Sequence, residues 1–305
     1  MKNLLKTGSI AALGLAASAG FASAQDDQLK IGMTFQEMNN PYFVSMREAL
    51  MEAAEDIDAE VIVTDAGHDV AKQISDVEDM LQQDIDILLL NPTDSAGIES
   101  AVRMAKEAGV IVVAVDANAN GPVDTFVGSK NRDAGYLSCQ YLAEAMGGEG
   151  EVAILDGIPV VPILERVEGC KAALDEAPGI TLVDTQNGRQ DRSVALGVVE
   201  NMMQAHPNLG GIFSVNDGGA MGALAAIQGA GKDIKLTSVD GAPEAVSAIA
   251  DGTAFIETTA QFPRDQVRVG LGMALAQHWG AQVVPSEVPI DVRVVDAENA
   301  ADFSW

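Results

Sequence analysis

The sequence predicts an α/β protein built from two domains, each a parallel sheet with helices on both faces. Three observations lead there. The chain has 305 residues, more than one modest core holds, which points to two domains of about 130–150 residues. Short apolar runs alternate with longer amphipathic stretches, and strands recur about every 25–30 residues, the pattern of βαβ units. Ten strand segments can be counted, more than one open sheet carries comfortably. With 48% hydrophobic and 21% charged residues, a disordered or collagen-like chain is excluded.

The elements follow in order. Lys2 and Lys6 precede an apolar run from Ser9 to Phe21, and Ala22-Ser23-Ala24 supplies small residues for cleavage. That is the pattern of a signal peptide over residues 1–24, cut after Ala24. The run is shorter than the roughly 20 residues that span a bilayer, and no Cys follows for lipid attachment. The expected product is exported to a periplasm without a membrane anchor.

Strands are predicted at Leu29–Thr34, Glu60–Thr64, Ile85–Leu90, Val110–Val115 and Thr125–Val127, then at Glu151–Leu155, Ile180–Val183, Gly211–Val215, Lys235–Val239 and Ala254–Thr259. Helical periodicity marks Phe43–Asp56, Val70–Gln82, Ile98–Ala108 and Val194–Ala205. Asn40 before Pro41, Asp94 before Ser95 and Ala242 before Pro243 read as helix starts. The run Gly147-Gly148-Glu149-Gly150 is the clearest punctuation between the halves.

Charge narrows the partners. The formal net charge is −27, and removal of residues 1–24, with two lysines and no acids, takes it to −29. Such a surface repels nucleic acid and anionic lipid, and 4% aromatic residues leave little to stack on bases. Cys139 and Cys170 both fall in predicted helices. They are read as small buried hydrophobes, with one disulfide as the alternative that an oxidising compartment permits. His68, His206 and His278 lie far apart and no CxxC occurs, so neither a metal site nor a cofactor is expected.

The chemistry lies at the strand ends. Ligands of open parallel sheets bind beyond the carboxyl ends of the strands. Here those ends carry Asn39 and Asn40, Asp65, Asn91, Asp116, Asp156, Asn216 and Asp217, Asp240, and Gln261. Asp and Asn also cap helices and form turns, and Asp65, Asn91 and Asp156 are assigned mostly to that duty. Recurrence in both halves points to a cleft between domains. Sugar hydroxyls both donate and accept, and charge-assisted bonds from Asp116, Asp240 and Arg166 would orient such a ligand. Tyr42 and Phe43 offer flat apolar faces for its C–H side.

At these residues the chain resembles the ribose-type periplasmic sugar-binding proteins. Gln36-Glu37-Met38-Asn39-Asn40-Pro41-Tyr42-Phe43 is similar to their opening signature. Asn91-Pro92-Thr93-Asp94, Val115-Asp116, Glu165-Arg166, Asn216-Asp217, Val239-Asp240-Gly241 and Gln261-Phe262-Pro263 follow in the family's order. The resemblance covers essentially the whole mature chain. It implies the type I periplasmic binding protein fold, two Rossmann-like domains with parallel sheets joined by a three-segment hinge. It places residues 25–129 plus 262–289 in an N-terminal lobe and 130–261 plus 290–305 in a C-terminal lobe. The ligand would be a neutral monosaccharide or polyol, and the partner an ABC importer permease; the protein would be a monomer.

Carried over by position, Asn40, Tyr42, Phe43 and Asp116 would bind from the first lobe. Arg166, Asn216 and Asp240 would bind from the second, with Gln261 at a crossover. Two departures argue against ribose itself. Ala117 follows Asp116 where ribose binders have Arg, and Gln190 stands where an aromatic ring would stack. Another pentose, a hexose, an inositol-like cyclitol or an alditol is expected instead.

GxGxxG, GxxxxGK[ST], GxSxG and HExxH are all missing from the sequence. Asp116 and Asp240 could form the acid pair of a glycosidase, but acids in a polyol site more often only accept hydrogen bonds. The reading is therefore a transport receptor and not an enzyme. A sensory protein that reports to a chemoreceptor is the alternative, and an exported sugar-modifying enzyme stands third.

Overall fold

The computed structural model describes residues 28–305; the expected signal peptide and its cleavage site lie outside the described residues. The chain folds through β1 (Lys30–Phe35), α1 (Pro41–Glu55), β2 (Glu60–Asp65), α2 (Val70–Leu81), β3 (Ile87–Leu90), α3 (Glu99–Glu107), β4 (Ile111–Val115) and β5 (Thr125–Ser129). It continues with α4 (Asn131–Ala145), β6 (Glu149–Asp156), α5 (Val161–Asp175), β7 (Gly179–Asn187), α6 (Arg192–Ala205), β8 (Leu209–Ser214), α7 (Asp217–Ala230) and β9 (Lys235–Asp240). Last come α8 (Pro243–Ala250), β10 (Phe255–Ala260), α9 (Pro263–His278), β11 (Glu287–Ile290) and β12 (Arg293–Asp296). All ten strands expected from the sequence form.

The strands assemble into two six-stranded sheets, ordered β11-β5-β4-β3-β1-β2 and β12-β10-β9-β8-β6-β7. Pairing is parallel throughout, except that β12 runs antiparallel to β10. Helices cover both faces, so the central strands are apolar on both sides; Ile87–Leu90 is wholly buried. The chain passes between the sheets three times, after Ser129, after Ala260 and after Ile290. Helix α9 packs on α1, β4 and β5, which brings a late segment back to the first sheet.

Local chemistry starts the helices that matter. Asn40 accepts from the Tyr42 amide at 3.0 Å with Pro41 at the first position of α1, a strong N-cap pair. Asn216 caps α7 in the same way through the Gly219 amide at 3.0 Å.

Three expectations need correction. The Gly147–Gly150 run does not separate the sheets: α4, which precedes it, packs on α5, β9 and β10 of the second sheet. Asp94 accepts from the Ala96 and Gly97 amides and so shapes the turn before α3, which starts at Glu99. Cys139 and Cys170 are joined in a disulfide with Cα atoms 5.0 Å apart. Helices α4 and α5 touch backbone to backbone: a Cβ on Gly135 or on Gly169 would lie 1.9 Å from the carbonyl oxygen of Arg166 or Arg132. That close approach brings the two sulfurs together, and sequence spacing does not reveal it.

Candidate functional site

Each sheet reverses its strand order once, between β1 and β3 in the first and between β6 and β8 in the second. Such switch points open a crevice at the carboxyl edge. The residues expected at the strand ends converge there.

Asp116 follows β4 at φ 68°, and the Ala117 amide donates to the Val115 carbonyl at 2.8 Å. That is a γ-turn centred on the acid, a strained geometry. The carboxylate is 5% exposed. Oδ1 accepts from the Tyr42 hydroxyl at 3.1 Å, and Oδ2 accepts from Asn91 Nδ2 at 3.1 Å. Asn91, expected mostly to cap, is instead fully buried and braces the acid; its own Oδ1 accepts from the Gln36 amide at 3.2 Å. Tyr42 in turn receives Gln266 Nε2 at 2.8 Å.

Asp240 ends β9 at φ 143°, a backbone region that favours glycine. Its Oδ1 accepts from Gln261 Nε2 at 2.8 Å and from Arg166 Nη1 at 3.4 Å, and its Oδ2 from the Asp217 amide at 3.3 Å. Arg166 is 3% exposed and is fixed by Asn131 Oδ1 at 2.9 Å and the Val215 carbonyl at 2.8 Å. A guanidinium carries five donors; these contacts employ only Nε and Nη1.

Electrostatics follow from burial. Burial pushes the Asp116 and Asp240 carboxyls above the ordinary carboxylate range, and the Arg166 guanidinium pulls both back. Asp217, behind Asp240, is raised by burial and by the Asp240 charge. The Tyr42 hydroxyl is pushed up by burial and then by Asp116, so it stays a neutral donor.

Two cavities share Asn40, Gln190 and Asp240 in their walls. The inner one, about 20 Å³, is lined by Asn40, Tyr42, Phe43, Asp116, Arg166, Gln190, Asp240 and Gln261 together with Gln36. That volume holds about one water, so anything larger fits only if the walls move. The outer one, about 920 Å³, lies between lips bearing Glu37 and His68 on one side and Arg189 and Arg192 on the other. Glu37 pairs with His68 at 3.4 Å, and this hydrogen bond raises the His68 pKa.

Eight of the nine expected residues therefore meet at one point. Asn216 stands aside as the α7 cap, with its Nδ2 buried and unpartnered. Phe43 is 4% exposed and packs on Phe35 at 6.1 Å and edge-on to Tyr42 at 5.3 Å, so it belongs to the core and the cavity wall at once. Gln190 sits at φ 57° next to Arg189 at φ 55° and accepts from the Ile158 amide at 3.3 Å.

Sequence reasoning missed Gln36. It is 4% exposed and lines the inner cavity, and its Oε1 is buried without a partner. A polar residue directly after the buried strand β1 was the available signal. Among the described residues no cluster of three His, Cys, Asp or Glu could hold a metal ion.

Residues 31–281 match the family described as periplasmic binding protein domain. The chain is similar to the ribose import binding protein RbsB of Bacillus subtilis, 38% identical over 75% of either chain. Among solved structures it resembles an ABC transporter periplasmic solute binding protein of Actinobacillus succinogenes with bound D-allose (TM-score 0.85, 32% identity, 90% of this chain and 100% of that one). It also resembles an ABC transporter solute binding protein of Mycobacterium smegmatis with bound glycerol (TM-score 0.86, 31% identity, 90% and 96%).

Proposed function

The chain belongs to the periplasmic binding protein domain family, and on that premise we propose that it captures a neutral monosaccharide or polyol between two lobes and hands it to an ABC importer permease. The lobes are residues 25–129 plus 262–289 and 130–261 plus 290–305. The protein works as an exported periplasmic monomer, its signal peptide removed after Ala24. One observation carries this reading. Asp116 from the first lobe and Arg166 and Asp240 from the second line one cavity, and Gln36 beside them has a buried Oε1 without a partner. Buried polar atoms left without partners are costly, and a molecule rich in hydroxyls supplies partners of both kinds.

Ribose is disfavoured. Ala117 is fully buried and offers no donors, and Gln190 brings an amide in place of a ring. The relatives with bound D-allose and glycerol support a polyhydroxylated ligand without fixing its length. Binding alone, with no turnover, fits the acids. Asp116 is held by Tyr42 and Asn91, and Asp240 by Gln261 and Arg166, which makes both fixed acceptors.

The test is a thermal-shift screen over pentoses, hexoses, cyclitols and alditols. At a hundredfold excess over Kd a ligand stabilises by about 2.7 kcal/mol, a rise of several degrees for a chain of this size. A flat response across the whole panel, with a rise for amino acids or another class, would refute the reading.

A further inference from the structure

The tail after β12 runs back over the hinge. The short 3-10 helix Ala300–Asp302 packs on α8. Phe303 then joins the core of the second lobe and lies so close to Gly241 that a Cβ there would sit 3.1 Å from its ring. Arg293 holds its guanidinium 5.0 Å from the Phe303 ring centre and 5.6 Å from that of Phe262. Two residues later, Trp305 packs against the core of the first lobe. Its ring meets Tyr42 edge-on at 5.7 Å, and its Nε1 donates to the Asp240 carbonyl at 3.1 Å.

We propose that this tail is a fourth tie between the lobes and that Trp305 is a positioning residue for ligand binding, fixing Tyr42 and Asp240 relative to each other. This rests on the polyol-binding reading above. Trp305 lines neither cavity, so it acts through its two neighbours. Tyr42 carries the hydroxyl that holds Asp116. The Asp240 carbonyl accepts from both Trp305 and the Gln261 amide, the latter at 2.9 Å. A strained backbone persists only when its surroundings over-determine it, and at Asp240 the indole is one of those constraints. One side chain thus touches Asp240 directly and reaches Asp116 through Tyr42. Groups already in place lower the ordering cost of binding.

The test compares wild type, Trp305→Phe and Trp305→Ala by calorimetric titration with D-allose and with xylitol, alongside hydrogen exchange without ligand. Trp305→Ala is expected to weaken binding at least tenfold, mostly through faster dissociation. Trp305→Phe keeps a ring on Tyr42 and loses the N–H, so it should fall between. Without ligand, exchange should quicken in Trp305→Ala at the Gln261 amide and around Asp240, while amides in β3 and β8 stay protected. A role confined to packing would lower the melting temperature with affinity and local exchange unchanged, and that result overturns the proposal. If wild type binds neither probe, the wider sugar and polyol panel decides the polyol reading, and the exchange comparison alone decides the role of Trp305.

Discussion

The two lobes present an acid to the same cavity in different ways. In the first lobe Asp116 is braced by neutral groups, the Tyr42 hydroxyl and the Asn91 amide, which are set by the order of β1, β3 and β4. In the second lobe Asp240 is braced by Arg166 and Gln261, with Asp217 directly behind it. Deeper still is Glu257, fully buried. The first lobe holds its acid with neutral groups. The second concentrates buried charge, so its stability depends more on each partner and on pH.

That contrast can be broken at Arg166, where the largest effect is expected. Arg166→Ala leaves Asp240 without its cation and should cost about 3–5 kcal/mol of stability as well as ligand binding. Chemical denaturation together with titration calorimetry measures both. A variant as stable as wild type would mean that the buried charges are balanced elsewhere.

The Cys139–Cys170 bridge sharpens the comparison, since both cysteines of the chain sit on the second lobe. Replacing both with Ser should cost about 3 kcal/mol and lower hydrogen-exchange protection first in α4 and α5, with the first lobe little changed.

Glu257 gives a pH-dependent test. Burial raises its pKa to about 8, and the hydrogen bonds explain the state of the proton. Ser138 Oγ lies 3.0 Å from the Ser238 carbonyl and 2.7 Å from Glu257 Oε2, yet it has one proton. A protonated Glu257 can donate to Ser138, which then donates to Ser238. A carboxyl whose pKa is raised on folding favours the native state most at low pH. This contribution is complete below the unfolded value near 4.5 and is lost as pH rises towards 8. Glu257→Gln should flatten that decline and make the protein about 2 kcal/mol more stable than wild type near pH 8. Melting curves from pH 5 to 8.5 would read it, and parallel curves for the two proteins would exclude the protonated acid.

The smallest effect is expected in the first lobe. Asp116→Asn keeps an acceptor and tolerates the positive φ. It should weaken ligand binding about tenfold, or about 1.4 kcal/mol, with little change in melting temperature. Equal affinity would show that the first-lobe acid does not touch the ligand.

Residue chemistry made part of this legible and topology hid the rest. Asp116 and Asp240 could be read because each ends an apolar strand in a parallel sheet, where the carboxyl edge is the binding edge. Gln36 was passed over because it follows a buried strand with no turn signal beside it. Asn91 looked like a cap because capping and bracing use the same amide, and only three-dimensional placement tells them apart. Strands β11 and β12, four residues each, are too short for periodicity to mark. The return of α9 to the first sheet, which the family resemblance implies and periodicity does not, depends on contacts with elements more than a hundred residues earlier. The disulfide and the Trp305 contact are equally non-local.

The central claim is that side chains from both lobes close on one neutral polyhydroxylated molecule. A crystal structure of the protein with the best ligand from the screen tests it most directly. The account expects ligand hydroxyls within hydrogen-bonding distance, about 2.7–3.2 Å, of Asp116 on one side and of Arg166 and Asp240 on the other. A ligand seated wholly between the His68 and Arg192 lips, touching none of these three, would contradict it.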